Sequence, residues 1–297
     1  MLSKKITDAV CSIIEEKTGH KVKTIPMLQN NRIPATGIMF EDSSQTPIIC
    51  IEDAHQQLRK GKIKPTVYNL ADFITSALEE EVGEPALLSV KEKMLDAVYP
   101  RLINYKLNEP ILTFGPYRRF MDMAMVYYVD IDKDRCTRLN EGNAEKAGVT
   151  EEELYNAAVE NTQKQEFVSY TVDELIRKFQ KMSKTADQIG QFDGVDMTYV
   201  TNKEHWYGAH AMLSQDTLGA IADKKGCDLM ILPASVHEII VVPEDAGRSG
   251  GDLQKMVKQA NMILTGKEEK LTDSVYRFER ESRKTRVDTA ELFADPQ

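Results

Sequence analysis

The chain has 297 residues, with 38 basic and 47 acidic side chains and a formal net charge of −9. Its hydrophobic fraction of 41% is sufficient for a core at this length, which excludes a disordered or collagen-like chain. The acidic balance argues against nucleic acid as the main partner, because phosphate binding requires clustered Lys and Arg. The longest apolar run has the length of a buried strand, so we expect no membrane-spanning segment.

The four cysteines are far apart and none forms a C-x-x-C pair: Cys11, Cys50, Cys136 and Cys227. Sparse, unpaired cysteines are typical of a reducing compartment. Acidic residues interrupt the N-terminal stretch, which lacks the apolar core of a signal peptide. We therefore expect a cytoplasmic protein that carries no metal ion and no cofactor.

Residues 1–84 have the pattern of a small N-terminal module of helices and strands. Ile6, Val10 and Ile14 recur at helical spacing, which predicts a helix close to the N terminus. Gly19 follows them at the position of a C-cap. Short extended segments with Pro and Gly between them come next.

Three further helices are predicted before the chain enters its main domain. The first covers residues 53–60, and the second covers 69–81 with Asn69 as its N-cap. The third presents apolar residues from Val90 onward and ends near Pro100, because proline disrupts a helix interior. A Gly-Glu-Pro break before the third helix predicts the end of the N-terminal module.

The main domain is predicted to cover residues 85–280 and to have an α+β fold. Met121 to Ile131 is almost continuously apolar, which is typical of a strand buried on both faces. Thr150 and Glu153 form a capping box at the start of a helix, and the same spacing recurs at residues 171–174.

The second half of this domain has a β-β-α-β-β-α pattern. Strands are predicted over residues 197–200, 207–213, 228–232 and 238–242, and helices after Ser214 and from residue 252. Hairpins that alternate with helices indicate an antiparallel or mixed sheet and not a doubly wound parallel sheet. The charged residues 281–297 are expected to form a polar C-terminal tail.

The turn between the last two predicted strands carries the first candidates for a catalytic site. Ser235 and His237 could form a nucleophile and its base, with Glu238 and His210 as further candidates. A turn held by ordinary hydrogen bonds is the alternative. His237 and Glu238 begin like the zinc motif H-E-x-x-H, but Val241 stands where the second histidine is needed.

Arg118 and Arg119 are the candidates for a ligand site. Two adjacent arginines could bind the carboxylate or phosphate group of a small anion, with Asp122 beside them. The alternative is a salt bridge at the start of a strand together with a surface charge.

Trp206 and Tyr207 lie beside His205 and close to His210. The four side chains could line a pocket. The alternative is that the aromatic pair packs in the core or at its rim, which is the commoner role of such a pair.

Two literal motif matches lack an essential part. Gly247 to Gly251 fits G-x-S-x-G, but no histidine follows Ser249 in the chain, as the base of a nucleophile elbow would. The acidic residues from Asp130 to Glu141 have the spacing of an EF-hand loop, but Arg135 occupies the position where glycine allows the sharp turn.

Five segments resemble a known family: RLINYKLNEPIL from Arg101, YRRFMDMAMVYYV from Tyr117, GVTEEELYNAAVENT from Gly148, the stretch from Tyr199 to Asp245, and LTDSVYRFER from Leu271. They resemble the bacterial domain-of-unknown-function family 5688, over residues 85–280 and more loosely before them. The order of the segments is distantly similar to the YtpQ-like family. Neither resemblance implies an activity or assigns site residues, so both leave the chemistry open.

Three function classes stay open from the sequence. We expect a non-enzymatic binding or adaptor protein with a protein partner, because each catalytic pattern lacks an essential part. The alternatives are a small hydrolase or transferase with its site near Ser235 and His237, and a sensor that binds a small anion at Arg118 and Arg119. The sequence does not determine the oligomeric state.

Overall fold

A computed structural model describes residues 2–41, 48–79, 86–131, 136–171, 174, 196–233, 235–244 and 249–289. The chain divides into two compact units, Met1–Pro85 and Ala86–Gln297. Both combine helices with antiparallel sheets, so the predicted α+β class is confirmed. Of the helices that the structure describes, none is both long and apolar enough to cross a membrane.

The N-terminal unit packs helices onto a three-stranded sheet of order β1-β2-β3. Its elements are α1 (Lys4–Thr18), β1 (Val22–Leu28), β2 (Pro34–Phe40), β3 (Ile49–Cys50), α2 (Ile51–Lys60) and α3 (Val67–Glu79). Helix α1 ends as predicted at Gly19, which has a left-handed φ of 74° that glycine adopts without strain. Val10 and Ile14 of α1 enter the core beside Leu70 and Ile74 of α3.

The start of α3 corrects one prediction. The helix begins at Val67, so Asn69 lies inside its first turn and is not the N-cap. The hydroxyl of Thr66 accepts the hydrogen bond from the Asn69 backbone N–H at 3.2 Å, which is the contact that a capping side chain makes.

The larger unit contains two antiparallel sheets and the helices around them. Its elements are α4 (Lys91–Ala97), β4 (Val98–Asn104), α5 (Tyr105–Leu112), β5 (Tyr117–Phe120), β6 (Met123–Asp130), β7 (Cys136–Arg138), α6 (Glu141–Ala147), α7 (Glu151–Lys164), β8 (Phe167–Thr171), β9 (Thr198–Asn202), α8 (Gln215–Lys225), β10 (Leu229–Leu232), β11 (Ile239–Pro243), α9 (Gly250–Leu264), β12 (Val275–Glu279) and β13 (Lys284–Thr289).

Strand β6 is the centre of the smaller sheet. It pairs with β4 along one edge and with β5 and β7 along the other. The second sheet has the order β13-β12-β10-β11-β9-β8. One core cluster joins side chains of both sheets and of α7 and α8, among them Met125, Leu154, Leu218 and Ile231. The buried strand predicted from the apolar run therefore lies at the middle of this unit.

Strand β4 replaces the end of a predicted helix. Helix α4 stops at Ala97, and Pro100 lies inside β4 opposite Tyr127. Proline is tolerated there because β4 is an edge strand, where one side of the backbone needs no ladder hydrogen bond. This change moves Arg101 from a helix end into the middle of a strand.

The strand predicted over residues 207–213 is wrong, because Gly208–Leu213 forms a 3-10 helix. His205 and Tyr207 both have a left-handed φ of 52°, which turns the chain away from an extended path. A Cβ atom at Gly208 would lie 2.2 Å from the Thr201 hydroxyl and 2.7 Å from the His237 carbonyl oxygen, so only glycine fits. Strand β9 pairs instead with β8 and β11.

The remaining local predictions are settled only in part. The capping box of Thr150 and Glu153 begins α7 as predicted. Residues 284–289, assigned to a polar tail, form β13 and pair with β12. The helix expected after Thr171 lies almost entirely outside the described residues.

Candidate functional site

The turn before β11 brings Ser235, His237 and Glu238 together. Ser235 is buried, and its Oγ accepts a hydrogen bond from the His237 backbone N–H at 3.0 Å. The same hydroxyl also lowers the pKa of the Glu238 carboxyl group, against the effect of burial. The serine side chain therefore closes the turn on itself, which is the structural alternative that the sequence left open.

The His237 imidazole contacts Tyr207 and Glu269 rather than this serine. Its Nδ1 accepts a hydrogen bond from the Tyr207 backbone N–H at 3.0 Å, and its Nε2 lies 3.5 Å from a Glu269 carboxylate oxygen. Among the described residues, no hydrogen bond joins the imidazole to Ser235. The contact on which nucleophilic catalysis by a Ser–His pair depends is not assembled here.

Glu238 is a partly buried carboxyl group. Burial raises its pKa, while the neighbouring His237 and hydrogen bonds from the Ser235 and Tyr199 hydroxyls act in the opposite direction. The Tyr199 hydroxyl donates to Glu238 at 3.3 Å. Glu238 is therefore a partly buried member of the turn's hydrogen-bond network.

His210 is buried in the 3-10 helix and both ring nitrogens are engaged. Nδ1 lies 2.8 Å from the Tyr207 carbonyl oxygen and Nε2 lies 2.5 Å from the side-chain oxygen of Gln165. Burial lowers the pKa of His210 to about 4, and the positive charge of Arg101 contributes in the same direction. His210 is therefore neutral at pH 7, with a proton on only one of its two ring nitrogens, and it joins the 3-10 helix to the segment before β8.

Trp206 lies at the exposed tip of the same region. Asn202 holds its backbone at both ends, since the Asn202 side chain accepts from the Trp206 N–H at 3.1 Å and donates to the Trp206 carbonyl at 2.8 Å. One face of the indole stacks on His237, with ring centroids 4.6 Å apart, and the Tyr207 ring meets it edge-on. Trp206 is nevertheless 41% exposed.

The side chains of Arg118 and Arg119 have different contacts. Arg118 makes a two-point contact with Glu151, with nitrogen–oxygen distances of 2.6 and 3.0 Å, and its guanidinium lies over the Tyr155 ring. Arg119 donates to the Met121 carbonyl at 3.0 Å and lies over Tyr105. Glu151 already neutralises Arg118, so the pair does not form a joint anion site.

Arg119 does line a shallow pocket of about 280 Å³, together with Tyr105, Lys106, Glu109 and Asp122. Two of these side chains are cationic and two are anionic. Asp122 also accepts hydrogen bonds from the hydroxyls of Ser274 and Thr272, at 2.6 and 2.9 Å, and from Tyr276. The pocket thus has no surplus of positive charge for an anion.

The two literal motif matches have structural roles where they are described. Ser249 caps α9 and accepts from the Asp252 N–H at 3.2 Å, whereas Gly247 lies outside the described residues. Asp130 accepts a hydrogen bond from Tyr99 at 2.8 Å, and residues 132–135 are not described. Within the described part of the chain, no group of three or more His, Cys, Asp or Glu side chains could hold a metal ion.

Comparison with known proteins identifies the family. The model of the family described as "Family of unknown function (DUF5688)" matches residues 2–280. The chain belongs to this family. No curated protein and no solved structure matches it. The match includes the N-terminal unit, where the sequence resemblance was looser.

Sequence reasoning missed Arg101 in this DUF5688 chain. Its guanidinium lies between the rings of Tyr128 and Tyr207, and it is only 6% exposed. A signal was present, because a single arginine interrupts the apolar run from Val98 to Ile103. The predicted helix end at Pro100 concealed that signal, since charged residues are common at helix ends.

Proposed function

We propose that the chain is a non-enzymatic binding protein that holds a polypeptide partner at Trp206. The carrying observation is that this tryptophan is 41% exposed although its backbone and one ring face are held in place. Tryptophan is among the residues that contribute most to protein–protein binding, since one rigid side chain buries a large area. Because Trp206 is already held in place, it loses little conformational freedom when a partner binds.

The charge around Trp206 favours a partner with Arg or Lys side chains. Glu269, next to His237, is 41% exposed in its side chain, and Glu204 is exposed two residues before the tryptophan. The face of an indole attracts a cation, and a nearby carboxylate strengthens that attraction. The net charge of −9 would also speed the approach of a basic segment.

Two further observations support binding over catalysis. The hydrogen bonds of Ser235 and of the His237 imidazole hold the turn and Tyr207 in place, and His210 is neutral and buried. We place the interaction in the cytoplasm, because all four cysteines are free thiols and reducing conditions preserve them.

A fluorescence titration tests this proposal directly, because Trp206 is the only tryptophan of the chain. Hexa-arginine and hexa-glutamate peptides of equal length serve as probes. We expect hexa-arginine to change the Trp206 emission in a saturable way that weakens with added salt, and hexa-glutamate to leave it unchanged. No response to hexa-arginine, or an equal response to both peptides, would overturn the proposal.

A second measurement uses a dye-labelled hexa-arginine peptide and fluorescence anisotropy. Trp206→Ala should weaken binding about 30-fold, as expected for a central aromatic contact. Phe114→Ala is the matched control, since Phe114 is an aromatic residue of the same unit that is 69% exposed. Equal losses in the two variants would show that the peptide binds through general hydrophobic contact and not at Trp206.

A further inference from the structure

Arg101 is a buried cation without a carboxylate partner among the described residues. Its guanidinium carbon lies 3.9 Å from the centre of the Tyr128 ring and 4.1 Å from that of Tyr207. Its Nε is buried and has no hydrogen-bond partner. Buried charges are normally paired, because removal from water is costly. By contrast, Arg118, on the other side of β6, forms a salt bridge with the Glu151 carboxylate.

The outer nitrogen of Arg101 points at a thiol. Nη2 donates to the Cys136 sulfur at 2.9 Å and to the Tyr99 hydroxyl at 3.2 Å. Cys136 is the first residue of β7 and is exposed. Of the groups that Arg101 contacts, the thiol is the one that peroxides oxidise.

We propose that Cys136 is a modification site, at which hydrogen peroxide or another hydroperoxide oxidises a thiolate held by Arg101. The guanidinium offers the thiolate a fixed positive charge, and the exposed sulfur gives the oxidant access. The sulfenate anion that can form from the oxidised product carries the same charge, so Arg101 stabilises it also. This site does not depend on the binding proposed for Trp206.

The chemical step is a two-electron transfer. The Cys136 thiolate attacks one oxygen of hydrogen peroxide, so a sulfur–oxygen bond forms and the oxygen–oxygen bond breaks. The leaving hydroxide takes a proton from solvent and becomes water. The sulfur is oxidised to sulfenic acid, and the peroxide is reduced.

Two other cysteines have thiols whose pKa is raised, whereas Cys136, which pairs with Asp130 across β6 and β7, has the Arg101 guanidinium at its sulfur. Burial, with Asp8 and Glu15 nearby, raises the pKa of Cys11 to about 11. Burial, with Asp53 nearby, raises the pKa of Cys50 to about 12. Both thiols stay protonated at neutral pH, which makes them internal controls for a reaction that requires a thiolate.

The experiment treats the whole protein with hydrogen peroxide in the presence of dimedone, which traps sulfenic acid, and follows each cysteine by peptide mass spectrometry. Ser169→Cys supplies a control thiol on the edge strand β8, at a position that is also exposed. We expect Cys136 to be trapped about 10-fold faster than this control cysteine, with Cys11 and Cys50 slower than both. Equal or slower trapping of Cys136 would overturn the proposal.

Arg101→Met tests the role of the guanidinium. It should reduce the trapping rate of Cys136 about 10-fold, to that of the control thiol, while the rate at Ser169→Cys stays unchanged. An unchanged rate at Cys136 would show that exposure alone makes it reactive. Circular dichroism verifies that Arg101→Met is folded. If this variant does not fold, the trapping rates of Cys136 and of the control thiol, both measured with Arg101 in place, still test whether Cys136 is the more reactive cysteine.

Discussion

Arg101 and Arg118 lie on strands that flank the same central strand, yet their surroundings are opposite. Arg118 contacts the Glu151 carboxylate at two points and keeps 35% of its side chain exposed. Arg101 is 6% exposed, lies between two tyrosine rings and donates to a thiol. Arg118, which the sequence suggested as part of an anion site, is already neutralised by Glu151. The uncompensated positive charge is that of Arg101, which belongs to no sequence motif.

The largest expected effect on stability concerns His210, because the charge of Arg101 contributes to the lowered pKa of this histidine. Its folded-state pKa of about 4 is below the ordinary value of 6.5, so the unfolded chain binds the proton first as the pH falls. The free energy of unfolding should therefore decrease between pH 6.5 and pH 4, by about 3 kcal/mol in total. Chemical denaturation at several pH values measures this decrease.

His210→Gln should remove most of that decrease, whatever its effect on stability at pH 7. His205→Gln is the control, because His205 is an exposed histidine of the same unit. Glu238, whose raised pKa acts in the opposite direction near pH 4, is present in every variant and cancels in the comparison. Identical pH profiles of wild type and His210→Gln would refute the assignment.

The second-largest effect on the free energy of unfolding is expected where the partner of Arg118 is removed. Glu151→Ala removes the carboxylate from Arg118 and also the acceptor of the Tyr127 hydroxyl, whose side chain is completely buried. We expect a loss of about 2 kcal/mol in the free energy of unfolding, because a buried donor is left unpaired. Glu152→Ala is the matched control, since Glu152 is exposed in the same helix turn. Equal losses would mean that the carboxylate acts only through the helix dipole.

The smallest effect is expected for Arg101→Met, which keeps an apolar stem and leaves no carboxylate behind. The free energy of unfolding should change by less than about 1 kcal/mol, because replacing a buried charge by an apolar side chain of similar size is often neutral. Arg118→Met serves for comparison, since it leaves Glu151 without its cation. If Arg101→Met destabilises the protein more than Arg118→Met, Arg101 is a net contributor to stability and the contrast between the two arginines fails.

The elements that the sequence predicted share a local cause. Thr150 and Glu153 are three residues apart, and their capping box begins α7 in the structure. Gly19 ends α1 with a left-handed φ of 74°, as its position after the helix predicts. Such signals need only neighbouring residues, and the capping box, which uses two side chains, held where the single-residue cap predicted at Asn69 did not.

The candidate site was only partly predictable. Ser235, His237 and Glu238 are close because they share one turn, and the sequence named all three. Their hydrogen bonds depend on distant residues, since the His237 ring accepts from the Tyr207 backbone and Glu238 accepts from Tyr199. Ser235 and His237 as catalytic residues stay a prediction, with a geometry that favours the structural role.

The sequence by itself determined the α+β class, the helix boundaries that caps define and the buried strand β6, because these depend on local hydrogen bonds and on hydrophobic periodicity. The tertiary structure alone decided which charges are compensated. Arg101 meets Cys136 and Tyr207 across 35 and 106 positions of the chain, and His210 meets Gln165 across 45. Burial and pairing of a charge depend on such distant contacts, and no local pattern records them.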